Sequence, residues 1–341
     1  MVATAVSLRP GIPTGRAGVV IAVTGLVKRY GTVEAVRGID LAVRRGEIFG
    51  FLGPNGAGKS TTISVLCTLL KPTSGSASVA GIDVAGDPDG VRARIGLVFQ
   101  DPSLDVQLTA RENLLFHAMV YGVARHQRRE RIGAALATVD LLDRADALVS
   151  TFSGGMKRRL EIARGILHAP EVLFLDEPTQ GLDPQTRANV WDHLGRIRAT
   201  TGLTIFMTTH YMEEAEFCDR IAIIDHGSIV ALGTPDELKA QVGGDIVVVS
   251  TDDNTRAARE IMATLGVNPV PDGDTLRVEV QDGAQFVPQL ITALSVPVTT
   301  VTVRRPSLDD VFLKLTGRAI RDAEADSRMS MMRAFAARGR R

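Results

Sequence analysis

The chain has 341 residues, and its 39 basic and 39 acidic side chains give a formal net charge of zero at pH 7. This length allows two domains, one of them with a substantial core. The even charge gives no indication of binding to nucleic acid or to an anionic membrane. Two cysteines, Cys67 and Cys218, stand in separate apolar stretches, as free thiols do in a reducing compartment. Because no apolar run approaches the roughly 18 residues needed to span a bilayer, we expect a soluble cytoplasmic protein.

The chain opens with a short lead and two predicted strands. Residues 1–18 contain two arginines and no acidic residue. They lack the apolar core of a secretory signal, and we interpret them as a disordered lead-in rather than a transit peptide. Val19 to Val27 and Val33 to Val43 are the predicted strands, with Tyr30 in the turn between them. An aromatic there can stack on a purine or cap a hydrophobic edge, and the residue alone leaves both open.

A phosphate-binding pattern follows the third predicted strand, Ile48 to Leu52. Its glycines lack Cβ atoms, so successive backbone N–H groups can turn toward an anion at the positive end of the next helix. Lys59 would reach the β- and γ-phosphates of a nucleotide, and the Ser60 hydroxyl would bind Mg²⁺. The pattern consists of Gly53, Pro54, Asn55, Gly56, Ala57, Gly58, Lys59 and Ser60, with a helix-compatible run from Thr61 onward.

The middle of the chain is predicted to form a helical lobe. Ile95 to Phe99 is a strand that ends before Gln100, a residue that by itself indicates a solvated turn. From about Leu108 to Arg164 the apolar residues recur at helical spacing. Near the end of this block, Ser153, Gly154 and Gly155 precede an amphipathic helix. Such a start offers free N–H groups to an anion, although taken alone it is typical of an ordinary helix cap.

Two later strands end in residues that can act on a nucleotide. Val172 to Leu175 is a buried strand followed by Asp176 and Glu177, and Thr204 to Met207 is followed closely by His210. Adjacent carboxylates at a strand end are costly unless a positive group lies there, and ligands gather at the carboxyl ends of strands in open α/β sheets. Asp176 can therefore hold Mg²⁺, and Glu177 can orient or deprotonate water beside the γ-phosphate. His210 is either a packed histidine or a donor to the γ-phosphate or the attacking water.

In this order, over roughly residues 21–240, the motifs resemble those of the ATP-binding subunits of ABC transporters. Gln100 corresponds to that family's glutamine loop and His210 to its switch histidine. The signature segment begins with Phe152 and ends with Met156, where leucine and glutamine are commonest. This aromatic-first, methionine-last form is similar to the drug-resistance exporter branch, of the daunorubicin-resistance type.

The resemblance implies an α/β fold, a P-loop NTPase domain with a mixed sheet and a helical subdomain, that binds and hydrolyses ATP with Mg²⁺. Glu177 would be the catalytic base, assisted by His210, and Ser60, Gln100 and Asp176 would surround the metal. The expected ATP contacts come from Tyr30, which would stack on adenine, and from Gly53, Pro54, Asn55, Gly56, Ala57, Gly58, Lys59, Ser60, Thr61, Gln100, Ser153, Gly154, Gly155 and Asp183.

The resemblance also implies partners. Two copies would form a head-to-tail homodimer, in which the Ser153 to Gly155 helix end of one chain closes on the ATP of the other. A separate integral membrane permease would carry the transported compound, so we expect a peripheral protein on the cytoplasmic face of the cell membrane that powers export of a drug-like or hydrophobic compound. No nucleic-acid partner is expected.

Two functions from other classes are alternatives to this one. A soluble ABC-type ATPase acting on ribosomes or DNA would resemble translation factors with two nucleotide domains, or chromosome-maintenance proteins with long heptad arms. This sequence has one phosphate loop and no such arms. A regulator that binds nucleotide without hydrolysing it is disfavoured by Glu177.

A smaller α/β domain is predicted after the ATP-binding domain, which we place at residues 19–242 with its helical lobe at about 101–165. Residues 243–318 alternate as β-α-β-α-β-α, and Ser307 with Asp310 forms a near capping box at the last helix. The segment from Ser307 to Gly317 is similar to the carboxyl-terminal extension of those exporter ATPases, which suggests a dimer-stabilising or regulatory role. Residues 319–341 are a basic tail, interpreted as disordered rather than as a membrane-surface anchor.

Overall fold

The computed structural model describes residues 18–317, so the predictions for residues 1–17 and for the tail at 319–341 lie outside the described residues. The strands are β1 (Val19–Tyr30), β2 (Val33–Arg44), β3 (Ile48–Leu52), β4 (Ser74–Val79), β5 (Ile82–Asp83), β6 (Ile95–Val98), β7 (Val172–Asp176), β8 (Thr204–Thr209), β9 (Arg220–Asp225), β10 (Ser228–Gly233), β11 (Asp245–Thr251), β12 (Val270–Asp272), β13 (Thr275–Val280) and β14 (Val298–Arg304).

The α-helices are α1 (Lys59–Leu66), α2 (Pro88–Arg92), α3 (Ala110–Val120), α4 (Arg125–Thr138), α5 (Gly154–Ile166), α6 (Pro184–Thr201), α7 (Met212–Ala215), α8 (Pro235–Ala240), α9 (Asn254–Leu265), α10 (Gly283–Ala293) and α11 (Leu308–Thr316). Two 3₁₀ turns, Leu142–Arg144 and Val149–Thr151, lie between α4 and α5. The chain divides into two compact units, the first ending at Val230 and the second beginning at Ala231.

The first unit is built on a six-stranded sheet with the order β10-β9-β3-β8-β7-β6. The neighbouring pairs from β9 to β6 are parallel, so the carboxyl ends of β3, β8 and β7 meet at one edge. Every residue of these three strands is buried. A second sheet, with the order β2-β1-β4-β5, is antiparallel.

Phenylalanine rings hold the central strands together. Phe206 on β8 lies 5.6 Å from Phe49 and 5.7 Å from Phe51, both on β3, and 5.5 Å from Phe174 on β7, measured between ring centroids. All four side chains are fully buried, which contributes roughly 2 to 3 kcal/mol of transfer free energy for each ring. This packing fixes the strand ends that carry the site.

Most predicted elements of the first unit are confirmed within a few residues, including the helices α3, α4 and α5 in the region predicted as a helical lobe. Tyr30 is an exception, because it is the last residue of β1, paired with Val33, and not a turn residue. The two strands β7 and β8 also run further than predicted. They include Asp176 and the pair Thr208 and Thr209, because parallel pairing of Asp176 with Thr208 extends the ladder past the apolar run.

The second unit has a four-stranded antiparallel sheet with the order β12-β13-β11-β14. Its path is β-α-β-β-α-β, the split βαβ arrangement of ferredoxin-like folds, followed by α11. The predicted path lacked β12, a strand of three exposed residues that contains Pro271. A proline in a short, exposed edge strand gives little periodic signal, which explains the omission.

One face of this sheet packs on α9 and α10. The core consists of Val247, Val249, Leu276 and Val278 from the strands and of Ala257, Ile261, Phe286 and Leu290 from the helices.

A buried carboxylate ties α11 to the sheet. The Asp310 carboxylate accepts hydrogen bonds from Ser307 N at 2.7 Å and from Arg304 Nη2 at 2.8 Å, and it lies 3.3 Å from Arg277 Nε. The predicted interaction between Ser307 and Asp310 is therefore confirmed. Burial alone would raise the pKa of Asp310, but Arg304 and Ser307 more than offset it and hold the pKa below its ordinary value.

We expect Asp310→Asn to lower the unfolding free energy of the second unit by about 2 kcal/mol, because it removes a buried charged acceptor of Arg304 and one of the two carboxylates beside the buried Arg277 guanidinium. The other carboxylate, Glu279, lies 3.0 Å from Arg277 Nη2 and remains. Thermal unfolding of the full chain, with hydrogen exchange of residues 245–317, measures this loss. The exposed neighbour Asp309 provides the control, since Asp309→Asn keeps the Asp310 carboxylate beside Arg277 and Arg304. Equal losses in the two variants would contradict the assignment.

Candidate functional site

The phosphate loop lies between β3 and α1, and two of its glycines are required by close backbone approach. An ideal Cβ on Gly53 would lie 2.3 Å from the Ile224 carbonyl oxygen, and one on Gly58 would lie 2.5 Å from the Ala35 carbonyl oxygen. Gly58 also has φ +109°, a left-handed conformation that side chains disfavour. The loop can therefore turn tightly into the amino terminus of α1, where free N–H groups favour an anion.

Lys59 is buried in this loop and joins it to β7. Its Nζ donates to the carbonyl oxygens of Gly53 at 2.7 Å and Pro54 at 3.1 Å. The same ammonium lies 3.2 Å from Glu177 Oε1. A cation predicted to bind phosphate and a carboxylate predicted to act as base are thus direct neighbours.

Asp176 and Ser60 also come together, as predicted for a metal site. Ser60 Oγ donates to Asp176 Oδ1 at 3.3 Å, and Thr208 Oγ1 donates to the same oxygen at 2.5 Å. A hydroxyl and a carboxylate are hard oxygen ligands of the kind that Mg²⁺ prefers. These two side chains alone do not complete six-fold coordination, so phosphate and water oxygens would supply the remainder.

Glu177 is buried in an unusual backbone conformation. Its φ is +46°, a left-handed value that typically costs a non-glycine residue about 1 to 3 kcal/mol and clusters at functional sites. Its backbone N–H donates to Thr208 Oγ1 at 3.0 Å, and its Oε2 lies 3.2 Å from His210 Nδ1. Burial would raise the pKa of Glu177, but the contacts with His210 and Lys59 outweigh burial and lower it. The carboxylate is therefore ionised near neutral pH, as a base must be.

His210 packs against Tyr211, which in turn packs against Arg187. Its ring centroid lies 4.0 Å from that of Tyr211, and the Arg187 guanidinium carbon lies 4.2 Å from the Tyr211 ring on the α6 side. Buried Glu214 lies 3.6 Å from Arg187 and accepts from Thr209 Oγ1 at 2.6 Å. Burial raises the pKa of Glu214, although Thr209 and Arg187 oppose the shift.

Other predicted site residues lie apart from this cluster. Tyr30 is 48% exposed, with Lys28 Nζ 5.2 Å from its ring centroid. Gln100 is exposed and donates to Gln180 in the loop after Glu177. Ser153 caps α5 by accepting from Met156 N at 3.3 Å, and Asp183 caps α6 by accepting from Thr186 N at 2.9 Å. Their contacts with ATP, one of them expected across a dimer, stay predictions.

Comparison with known proteins gives the family. Residues 36–180 match the family model described as ABC transporter, and residues 233–316 match that of the carboxyl-terminal domain of DrrA1-3-like ATP-binding proteins. The daunorubicin resistance ATP-binding protein DrrA3 of Streptomyces coeruleorubidus is 43% identical over 311 residues, which cover 89% of this chain and 98% of that protein. The chain belongs to the family of ABC transporter ATP-binding proteins.

Two further similarities support the same conclusion. The linearmycin resistance ATP-binding protein LnrL of Bacillus subtilis is 39% identical, covering 86% of this chain and 97% of its own length. A solved dimeric ATP-binding cassette in a post-hydrolysis state, bound to ADP and Pi, matches with a TM-score of 0.57 at 28% identity, covering 63% of this chain and 98% of that one. The predicted ABC ATPase fold and its ATPase activity are thus confirmed at the level of the family.

Three residues of this ABC ATPase that sequence reasoning missed support the site. Thr208 binds both Asp176 and Glu177, Glu214 supports Thr209, and Arg158 on α5 donates to the backbone of residues 176–178. Polar residues ending an apolar strand, and opposite charges three residues apart at 158 and 161, were the available signals. Neither specifies a partner.

We expect His210→Ala to raise the pKa of Glu177, because burial then acts with one fewer opposing contact. A base with a raised pKa is protonated at higher pH, so the variant loses its carboxylate earlier as pH falls. The ¹³C carboxyl resonance of Glu177, assigned by its loss in Glu177→Gln, measures this between pH 3 and 7. Coinciding titration curves in the wild-type and variant ATPase would contradict the pairing.

Proposed function

We propose that this ABC ATPase hydrolyses ATP to power export of a drug-like or hydrophobic compound through a permease on a separate chain. The observation that carries the proposal is the Glu177 carboxylate between the Lys59 ammonium and the His210 imidazole, at 3.2 Å from each. The export branch is supported by two relatives named for resistance to daunorubicin and to linearmycin.

The residues of the site have distinct tasks in hydrolysis. The loop N–H groups and Lys59 would bind the phosphates of ATP, and Ser60 and Asp176 would hold Mg²⁺, which offsets charge on the β- and γ-phosphates. Glu177 would accept the proton of the attacking water, and His210 would fix the carboxylate or contact the γ-phosphate. Gln100 would complete the surroundings of the metal, and Tyr30 would stack on adenine.

In the expected head-to-tail homodimer, each of the two ATP sites is completed by the other chain. In this proposal Ser153, Gly154 and Gly155 of one copy contact the ATP bound by the other, and Asp183 lies between the two sites. The dimeric cassette structures among the similar folds support this arrangement. Within one chain, Gly155 lets α5 pack closely on α6, because an added Cβ would lie 2.4 Å from Thr186 Cγ2.

The helical lobe offers an apolar surface to the permease. Leu115, Phe116, Met119 and Val120 on α3 are all exposed, and Phe116 and Val120 are each 65% exposed. A cavity of about 780 Å³ adjoins them, lined by Val120, Tyr121 and Val123 together with Arg92, Arg131 and His168. Exposed apolar patches of this kind mark interaction sites, and this one would hold the ATPase at the cytoplasmic face of the membrane. No helix of residues 18–317 could itself cross a bilayer.

Neither rival function is favoured by these observations. The balanced charge offers no electrostatic basis for an RNA or DNA partner. The two relatives described above are named as resistance proteins rather than as translation or chromosome factors. A dimer-stabilising or regulatory role for residues 243–318 stays a prediction.

Glu177→Gln should leave ATP binding intact and lower turnover by roughly 10²- to 10⁴-fold, the usual contribution of general-base catalysis. Equilibrium binding of ATP and release of phosphate measure the two properties separately. Size-exclusion chromatography should also detect an ATP-bound dimer that the wild type does not accumulate. Unchanged turnover would mean that another residue is the base.

Phe116→Glu should weaken co-purification with the permease at least tenfold while ATP binding stays unchanged, because it places a charge in the apolar patch. Met262→Glu is the matched control, since Met262 is 54% exposed but lies on α9, outside the helical lobe. Affinity purification from membranes that contain the permease compares them. Loss of the permease with both variants, or with neither, would reject this surface.

A further inference from the structure

Arg158 is a buried cation that binds four backbone carbonyl oxygens on two different loops. It is 6% exposed. Its Nε donates to Pro178 O, and its Nη2 donates to Asp176 O at 3.3 Å and Glu177 O at 3.1 Å. Its Nη1 donates to Phe99 O at 2.6 Å, directly before Gln100. The guanidinium therefore bridges the backbone of the catalytic carboxylate and the glutamine loop.

The same face of α5 also forms hydrogen bonds with Ser103, at the other end of the glutamine loop. Glu161, fully buried, accepts from Arg158 Nη1 at 3.0 Å through one oxygen and from Ser103 N at 2.8 Å through the other. Arg164 donates to Ser103 O at 2.9 Å and to Ser103 Oγ at 2.5 Å. Residues three apart share a helix face, so positions 158, 161 and 164 hold both ends of residues 99–103.

The chemistry of arginine makes this bridge rigid. Its five N–H donors are fixed in one plane, and here all five have acceptors among the contacts just given. Lysine has no such fork, so it could keep the charge but not hold both loops at fixed relative positions. A shift of Phe99 therefore has to be matched by a shift of the backbone at residues 176–178, or a charge-assisted hydrogen bond is lost.

The backbone that Arg158 binds is the one that needs support. Glu177 has its left-handed φ of +46° between two of the carbonyls that the guanidinium contacts. Such a conformation persists only where the surroundings hold it. Gln100, which donates to Gln180, adds a second link between the same two loops.

We propose that Arg158 is a positioning residue that aims Glu177 and couples its backbone to the glutamine loop, so that displacement of residues 99–103 changes the rate of hydrolysis. The inference rests on the proposed function, because it takes Glu177 as the base. Arg158 itself touches no reacting atom. It acts through Glu177.

The first test is the turnover of Arg158→Lys. We expect kcat to fall by roughly 10- to 100-fold, since misplacement of a catalytic group by about 1 Å can cost 10²-fold. The KM for ATP should change by less than about threefold, because Lys59 and the phosphate loop are untouched. A rise in KM without loss of kcat would overturn the proposal.

Arg198→Lys is the control for an arginine with similar contacts away from the site, although Arg198 is 35% exposed. Arg198 also donates to a backbone carbonyl, Gly46 O at 2.7 Å, and pairs with a carboxylate, Asp219, at 3.0 Å. Both partners precede strands, at the opposite edge of the sheet from the site. We expect its kcat within about twofold of wild type. An equal loss of kcat in the two variants would show that Arg158 only stabilises the fold, and would overturn the proposal.

A double-variant cycle separates positioning from general damage. If Arg158 acts through Glu177, adding Arg158→Lys to Glu177→Gln should lower single-turnover hydrolysis by less than about twofold further. A further loss as large as that in the wild-type background would overturn the proposal. If Arg158→Lys does not fold, Arg158→Gln with Glu161→Gln removes both buried charges together, and the same cycle applies to it.

Hydrogen exchange tests the coupling without any activity. In Arg158→Lys, exchange should rise together in residues 99–103 and 176–180, whereas Arg198→Lys should raise neither. Exchange that rises in only one of the two segments would contradict the proposal that Arg158 couples them. Hydrogen exchange can be measured even if the wild-type chain shows no ATP turnover. Absence of turnover would contradict the proposed function, whereas the exchange data would still test whether Arg158 couples the two segments.

Discussion

The site depends on one buried carboxylate between two partners. Glu177 is almost inaccessible to water, and burial of an isolated carboxylate would neutralise it. Lys59 on one oxygen and His210 on the other keep it charged. Lys59 begins the helix after β3, Glu177 follows β7 and His210 follows β8, so the environment of the base depends on how these three strands are aligned. Fold and chemistry are linked through this one carboxylate and its two contacts.

The strand order explains why the partners meet. Parallel pairing places β3 beside β8 and β8 beside β7, and the phenylalanine cluster around Phe206 fixes their spacing. Thr208, at the end of the middle strand, binds both Asp176 and Glu177. The middle strand thus aligns the two carboxylates, while the phosphate loop on its other side supplies the cation. Arg158 extends this alignment toward the glutamine loop.

Residue types that act locally could be predicted from the sequence. The phosphate loop, the Asp176 and Glu177 pair and His210 each follow an apolar strand, and strand ends in such sheets converge, so their meeting was foreseeable. The capping contact of Ser307 with Asp310 was predictable for a different reason, because its two partners lie only three residues apart in the sequence. Contacts set by long-range packing could not be predicted from the sequence. Arg158 looks like an ordinary basic residue on an amphipathic helix, because its partners at residues 99 and 176–178 are known only from the packing of α5. The exposed strand β12 and the position of Tyr30 in β1 depend on pairing partners that composition does not specify.

We expect groups that follow separate strands to bind one nucleoside triphosphate. Isothermal titration of ATP with Mg²⁺ into the full-length chain and its Lys59→Ala variant tests it most directly. We expect one saturable site per wild-type chain and an affinity weakened by roughly tenfold or more in the variant, because a charged hydrogen bond is lost. No saturable binding, or equal affinity in the two proteins, would contradict it.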